Sequence, residues 1–484
     1  MQSLREKTVS GVGWSAADAF LGKGVTFLVG IVLARILSPS EYGLIGIVTI
    51  FTTILIGVVD GGFSNALIRK QNVTDEDYNT MFITNMVVSV VLCVLLYFSA
   101  PLIARFFERP ELVDLTRVMG LVLIIQALYY VQYTILTKRI DFKTKTKASI
   151  ISAIVSGFVG IGMALCGFGV WSLVGQQLSR SLIYCVCLWI FIHWIPSFRF
   201  SFISFRYMWG FGWKIMFSGL LDNIWNQLYQ VVVGKFYNPA TLGQYSRSKE
   251  FSSVFSSNLT SIVQRVSYPV LSQVQDDRVR MVYAYRSVIK TCMFVTAVTM
   301  ISMGAVSEPL IYCLLGDQWH LAATYLPLIC FSMSLYPLHA INLNMLQVQG
   351  RSDIYLYLEI IKKIIAIGPI CLGIFVNIYW MLIGTIVTGI MAFFLNTYYT
   401  GKKLDYSSWM QIKDVAPSYG LAFVIAVCVY FFKYLPLSYW IILPIQICVG
   451  AAVFFLVCEK TQLEEYVEVK GMAKQYFSRL KRNK

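Results

Sequence analysis

Ser38-Pro39-Ser40-Glu41-Tyr42-Gly43 and Asn238-Pro239-Ala240-Thr241-Leu242-Gly243 read as two copies of one motif. Each follows, by roughly 25 residues, one member of a second matched pair, Gly11-Val12-Gly13-Trp14 and Gly210-Phe211-Gly212-Trp213. Gly and Trp are common in apolar helices, so either tetrapeptide alone says little. The shared spacing, repeated about 200 residues apart, carries the inference. It marks a duplicated bundle of membrane helices, the architecture of a two-lobed transporter.

Composition fixes the solvent. The chain has 484 residues, 57% of them hydrophobic and only 13% charged, with a mean hydropathy of +0.65, which no soluble globule shares. A bilayer core about 30 Å thick needs about 20 apolar residues per helix, and about fourteen such runs tile the sequence. The first six lie at 11–37, 42–68, 79–100, 112–137, 146–167 and 170–195. The next six lie at 209–236, 241–268, 284–306, 321–347, 353–377 and 379–400, and two more at 414–434 and 438–458. The expected fold is therefore an all-α polytopic membrane protein with two pseudo-symmetric six-helix lobes and two extra C-terminal helices. Residues 1–200 form the N-lobe, 201–403 the C-lobe and 404–458 the extra pair, followed by a basic amphipathic tail at 459–484.

The net charge of +15 has a topological explanation and needs no nucleic acid. Basic residues cluster in alternate loops: Arg5 and Lys7, Arg69-Lys70, Lys138-Arg139 with Lys143, Lys145 and Lys147, then Arg199 with Arg206, Arg278 with Arg280, and Lys402-Lys403. The intervening loops, including those near Glu108 and Trp319, carry little beyond Arg105, Arg109, Lys235 and Lys433. The positive-inside rule then places both termini in the cytoplasm. The first apolar stretch is too long for a signal peptide, contains Asp18 and Lys23, and lacks a small-residue cleavage site, so it reads as the first span.

Several function classes lose their footing. The eleven cysteines include no C-x-x-C pair and read as small apolar fillers. The three histidines, His193, His320 and His339, have no metal-ligand spacing. Phosphate-binding loops of the G-x-x-x-x-G-K-[ST] type, nucleophile elbows and dinucleotide fingerprints do not occur, so no catalytic or cofactor chemistry is expected. The short outward loops also argue against a polysaccharide polymerase or ligase.

Polar residues inside the spans are the functional signal, because a charge at a helix centre costs about 2.5 to 3.5 kcal/mol on insertion scales. In the seventh span Ser218, Asp222, Asn226 and Tyr229 share a face, with Asn223, Gln227 and Gln230 beside them. The eighth carries Lys249, Ser253, Ser256 and Thr260, flanked by Glu250 and Arg265. Their counterparts in the first two spans are Ser15, Asp18, Lys23, Thr49, Thr53 and Asp60. Paired stripes of this kind build a hydrophilic cavity at mid-membrane. The plainer reading, back-bonded hydroxyls and a Gly57-x-x-x-Gly61 packing motif, competes for single Ser and Thr residues more than for Lys23, Asp60, Asp222 and Lys249.

Taken in order, these residues resemble the Wzx-type polysaccharide flippases, the colanic-acid and teichuronic-acid kind, within the multidrug/oligosaccharidyl-lipid/polysaccharide exporter superfamily. The resemblance runs through Ala34-Arg35-Ile36-Leu37-Ser38-Pro39, Asp60-Gly61-Gly62-Phe63-Ser64-Asn65-Ala66-Leu67-Ile68 and Gly167-Phe168-Gly169-Val170-Trp171. It continues with Gly243-Gln244-Tyr245-Ser246-Arg247, Tyr268-Pro269-Val270-Leu271-Ser272, Leu314-Leu315-Gly316-Asp317-Gln318-Trp319 and Gln349-Gly350-Arg351.

That resemblance implies an undecaprenyl-pyrophosphate-linked oligosaccharide as substrate, translocated across a bacterial inner membrane by alternating access for lipopolysaccharide, capsule or exopolysaccharide synthesis. Membrane lipid and a polysaccharide polymerase are the implied partners. Lys23, Arg180, Lys214, Lys249 and Arg265 are the candidate pyrophosphate cations; Asn226, Tyr229, Gln230, Ser253 and Ser256 suit sugar hydroxyls. Asp18, Asp60, Asp222 and Glu250 are candidates for coupling to a proton or Na⁺. A cation-coupled drug or metabolite antiporter of the same superfamily is the alternative reading. In the tail, Leu463, Tyr466, Val467, Ala473, Tyr476, Phe477 and Leu480 fall at helical spacing among basic residues, the pattern of an interfacial helix.

Overall fold

The computed structural model describes residues 21–197, 199–273, 277–348, 351–468 and 470–471, with side chains except at 257–259, 261–270, 272–273, 352 and 402–403. The first Gly-x-Gly-Trp copy, Arg5, Lys7, Ser15 and Asp18, and the tail positions Ala473, Tyr476, Phe477 and Leu480 lie outside the described residues. Everything described is helix or short connection, with no strand among the described residues. The chain parts into two compact units, Met1–Gly243 and Gln244–Lys484.

The first unit contains α1 (Lys23–Ile36), α2 (Pro39–Val59), α3 (Phe63–Arg69), α4 (Asp75–Phe107), α5 (Leu112–Met119), α6 (Leu121–Lys138), α7 (Phe142–Leu165), α8 (Trp171–Phe191) and α9 (Phe202–Phe236). Local chemistry sets the starts. Ser38 caps α2 in a capping box with Glu41, Pro39 takes the first helical turn where its missing N–H costs nothing, and Thr74 with Asp77 repeats the device on α4. Phe63, Leu67, Met81, Phe82, Val131, Ile135, Leu188 and Met208 form the core that binds α3, α4, α6, α8 and α9 together.

The second unit begins within α10 (Pro239–Gln273) and continues through α11 (Arg278–Ala305), α12 (Ser307–Leu314), α13 (His320–Ser334), α14 (Tyr336–Val348), α15 (Ser352–Ile365), α16 (Ile367–Phe375), α17 (Ile378–Leu404), α18 (Ser408–Tyr430) and α19 (Tyr439–Thr461). Its core joins Leu271, Tyr285, Ile289, Met293, Leu338, Ile341, Met345 and Tyr406. Trp319, expected at an outward loop, is fully buried, because the short turn before α13 folds its indole inward.

Ten helical stretches among the described residues are long and apolar enough to cross a membrane, so this is a multi-pass membrane protein. Of the other expected spans, the first is only partly described and the eleventh divides at Ala366 into α15 and α16. The seventh and eighth correspond to α9 and α10, where Lys, Asp, Asn, Gln and Ser interrupt the apolar windows. The second expected span is also divided: α2 ends at Val59 and α3 starts at Phe63.

Ion pairs test the loop alternation from within. Glu108 meets Lys235 at 2.7 Å, Arg278 meets Asp405 at 2.5 Å and Lys433 meets Glu308 at 3.7 Å. Each joins segments assigned from sequence to the same membrane side. At Glu108 the hydrogen bond from the Lys235 ammonium holds the carboxyl below its ordinary value.

Candidate functional site

The matched Pro-x-x-x-Gly motifs are a mutual crossing. A Cβ on Gly43 would run into the carbonyl of Pro239, and a Cβ on Gly243 into the carbonyl of Pro39, so the first turns of α2 and α10 touch backbone to backbone in a reciprocal pattern. From this crossing α9 runs antiparallel along α2. Gly234 lies under Ile47, and a Cβ at Gly57 would stand 2.9 Å from the Asn223 amide nitrogen. At the far end a Cβ on Gly212 would meet the Gly61 carbonyl oxygen at 2.6 Å and Phe63 at 3.1 Å. Small residues let two helix backbones approach where lipid supplies no hydrophobic drive.

At that end the helix is interrupted. Gly61 and Gly62 both take positive φ, 58° and 73°, a conformation that costs other residues about 1 kcal/mol or more. Asp60 sits at the interruption and is only partly exposed. Its carboxylate accepts from the Ser64 hydroxyl at short distance and from the Ser64 amide at 3.3 Å. Thr134 on α6 lies 2.9 Å from the Ser64 oxygen, and the Tyr130 hydroxyl donates to the Ile56 carbonyl at 3.4 Å. Among the described residues no Lys or Arg lies within ion-pair distance of Asp60.

The other expected residues divide clearly. On α9, Lys214, Asp222 and Asn226 are exposed, Tyr229 and Gln230 are half-buried, and Gln230 donates to Gln227 at 2.8 Å. Lys23 opens α1 and is exposed, while Arg180 on α8 is half-buried. On α10, Lys249 and Ser253 are half-buried, and Ser253 back-bonds to the Glu250 carbonyl at 3.0 Å. Glu250 is paired with Arg247 at 2.5 Å. Ser256 departs from its expected place on a cavity wall: it is buried and donates to the Met333 carbonyl on α13 at 2.9 Å. The cause is a buried row, Ser248, Ser252, Ser256 and Thr260, at i, i+4 spacing. Ser248 and Ser256 in this row donate to backbone carbonyls of α13, so these two act as interhelical glue. Arg265 belongs to α10, with its side chain outside the described set, and Asp18 lies outside the described residues.

Sequence reasoning missed two ionic clusters built on buried acids. Lys70 binds the wholly buried Asp77 through both oxygens at 2.8 and 2.7 Å, and Lys138 donates to the Leu67 carbonyl at 2.9 Å and to that of Lys70. In the second unit Arg286 makes a bidentate pair with Asp414, 2.8 Å on each arm, and Tyr406 donates to the same carboxylate at 2.7 Å. Next to it Tyr285 donates to Asn342 at 2.6 Å and Thr400 to the same oxygen at 3.1 Å. The one available signal was an acid in an apolar run, Asp414, since its partners are remote in sequence.

The described helices share their fold with solved membrane transporters. Over 93% of this chain and 97% of the other, the structure superposes on a lipid II flippase in an inward closed conformation, with a TM-score of 0.70 and 16% identity. An inward-facing multidrug resistance transporter of the superfamily superposes with a TM-score of 0.63 at 15% identity, covering 82% of this chain and 99% of that one.

Residues 32–324 match the family described as polysaccharide biosynthesis protein, and this chain belongs to that family. The succinoglycan biosynthesis transport protein of Rhizobium meliloti is 26% identical over 372 residues, 77% of this chain and 75% of the relative. The teichuronic acid biosynthesis protein of Bacillus subtilis is 24% identical over 363 residues, 74% of each chain. The lipopolysaccharide biosynthesis protein of Escherichia coli is 21% identical over 377 residues, 77% of this chain and 76% of that one.

Proposed function

We propose that this protein is a flippase that moves an undecaprenyl-pyrophosphate-linked oligosaccharide across a bacterial inner membrane, delivering repeat units to a polysaccharide polymerase on the outer side. The observation that carries the reading is the family match over residues 32–324 on a fold shared with a lipid II flippase. The stripe of Asp222, Asn226, Tyr229 and Gln230 on α9 supports it, because sugar hydroxyls need donors and acceptors that a purely apolar bundle lacks. Lobes at 1–200 and 201–403, an extra helix pair at 404–458 and a cytoplasmic tail at 459–484 complete the arrangement, with both termini cytoplasmic. The loop ion pairs are compatible with that alternation.

In this mechanism Lys23 and Lys249 are each candidate cations for the pyrophosphate, with Arg180, Lys214 and Arg265 as further ones. Transport needs no catalytic step on the substrate. Replacing Lys23 or Lys249 with Ala removes charge-assisted hydrogen bonds of about 1.5 to 3 kcal/mol, about ten-fold or more in affinity. Arginine in their place retains charge with altered geometry and restores part of the loss. Flipping by purified, correctly inserted variants tests this; parental rates for both alanine variants overturn the cationic site. A cation-coupled antiporter is the second reading, favoured by one observation, the Asp60 carboxylate without a counter-cation among the described residues.

A further inference from the structure

We propose that a cavity in the second unit, between α11, α13 and α18, holds one membrane phospholipid with an ethanolamine headgroup, separate from any transported substrate. The inference goes beyond the transport reading and rests on no part of it. Shape, charge and depth in the membrane carry it.

The cavity measures about 720 Å³, inside the range of about 300 to 1,000 Å³ typical of small-molecule sites. Its longer part is apolar, formed by Phe331 of α13, Ile386 of α17, and Phe423 and Val427 of α18. The Phe331 and Phe423 rings, with centroids 6.4 Å apart, join the α13 side to the α18 side. Phe423 and Val427 stay about half exposed, so this part opens sideways toward the bilayer. A trough of this kind on the flank of a membrane bundle is filled by hydrocarbon, because water needs polar partners that the wall does not offer.

At one end the lining changes character. It includes one carboxylate, Glu308, and one ammonium, Lys433. The two stand 3.7 Å apart, longer than the charge-assisted hydrogen bond of about 2.7 to 2.9 Å. Glu308 accepts from the Tyr439 hydroxyl at 3.1 Å, and Lys433 donates to the Tyr430 hydroxyl at 2.7 Å. A carboxylate accepts several donors and an ammonium carries three N–H groups, so each has capacity for a further partner. The Tyr430 and Tyr434 rings, 4.1 and 5.0 Å from the Lys433 ammonium, hold it in place.

A zwitterion fits this pair: its phosphate accepts from Lys433 while its primary ammonium donates to Glu308. A diphosphate or other purely anionic headgroup meets Glu308 with like charge. Asp317 adds to that repulsion, since it lies close enough to act on the Tyr312 and Tyr439 hydroxyls. A trimethylated ammonium keeps the charge but has no N–H to donate.

Depth agrees with the headgroup. The polar end lies where α11 gives way to α12 and where α18 ends, opposite the end at which Arg278 pairs with Asp405. Tyr312 and Tyr439 stack there with centroids 4.9 Å apart. Tyrosines gather at the headgroup level of a bilayer, which puts the charged pair at the depth of lipid phosphate and the apolar part at that of an acyl chain. A lipid seated there fills the space between α13 and α18 and holds the two helices together.

The test is native mass spectrometry of the purified full-length protein, counting bound lipids during titration with phosphatidylethanolamine, phosphatidylcholine or phosphatidylglycerol of identical chains. The parent is expected to bind one phosphatidylethanolamine about ten-fold more tightly than either of the others. Lys433→Ala and Glu308→Gln each lose about ten-fold of that affinity, and Glu308→Gln also loses the discrimination against phosphatidylglycerol. Ala426→Trp fills the cavity without removing either charge and abolishes the site for all three lipids, whereas the exposed-site control Asp114→Asn binds as the parent does. Equal affinity of the parent for the three lipids overturns the proposal even if every variant fails to fold. Unchanged phosphatidylethanolamine binding in the three cavity variants overturns it as well. So does displacement of the bound lipid by an equimolar polyprenyl diphosphate, which assigns the cavity to a substrate instead; no flipping is measured, so the flippase reading stands or falls separately.

Discussion

Two carboxylates in interrupted or polar membrane helices live under opposite rules. In the second unit, Asp414 on α18, itself nearly buried, is clasped by the half-exposed Arg286 of α11 and by Tyr406. In the first unit, Asp60 stands at a helix interruption with only hydroxyl and amide donors, while α2 and α9 meet through glycines. The first arrangement ties helices together, since separating the pair leaves the nearly buried Asp414 carboxylate uncompensated. The second holds its carboxylate by hydroxyl and amide donors, beside a contact made of backbone and little else. The two units thus join their helices by different chemistry, a charged clasp in one and close backbone contact in the other.

The sharpest way to break the contrast is at the buried acid of the first unit. Lys70→Ala leaves the wholly buried Asp77 without its cation and should cost about 3 kcal/mol, read as a lowered melting temperature. Gly43→Val drives a side chain into the Pro239 carbonyl and should cost about 2 to 3 kcal/mol by the same measurement. Arg286→Ala should cost less, about 2 kcal/mol, because the Arg286 side chain is 44% exposed and its charge is partly screened. Ser256→Ala removes a hydrogen bond to the Met333 carbonyl and should cost about 1 kcal/mol while leaving flipping intact, as expected of helix glue. Lys413→Ala, an exposed cation near Trp409, should change stability by about 0.5 kcal/mol or less.

Much of the fold was legible because the bilayer imposes one rule on every span. Apolar length located the helices, and the Pro39-to-Gly43 and Pro239-to-Gly243 repeat marked the duplication. The contact these motifs make with each other was not legible, since a glycine that admits a neighbouring backbone looks like any other glycine until the neighbour is present. The interruption at 60–62 was masked by hydropathy that continues on both sides of Asp60-Gly61-Gly62. Ser256 was placed on the cavity because helical spacing identifies a face without saying what covers it; α13 covers that one. Asp60 was singled out by charge alone, but Thr134, the residue that ties it to α6, is ordinary in sequence and lies 70 positions from Ser64.

The most direct test of the account is reconstitution of the purified protein into liposomes carrying an undecaprenyl-pyrophosphate-linked oligosaccharide, with a lectin reporting how much sugar is exposed on each leaflet over time. The account predicts protein-dependent exchange of the oligosaccharide between leaflets, slowed about ten-fold or more by Lys23→Ala or Lys249→Ala and unaffected by Lys413→Ala. Exchange no faster than in protein-free liposomes, from correctly folded and inserted protein with and without proton and Na⁺ gradients, would contradict it.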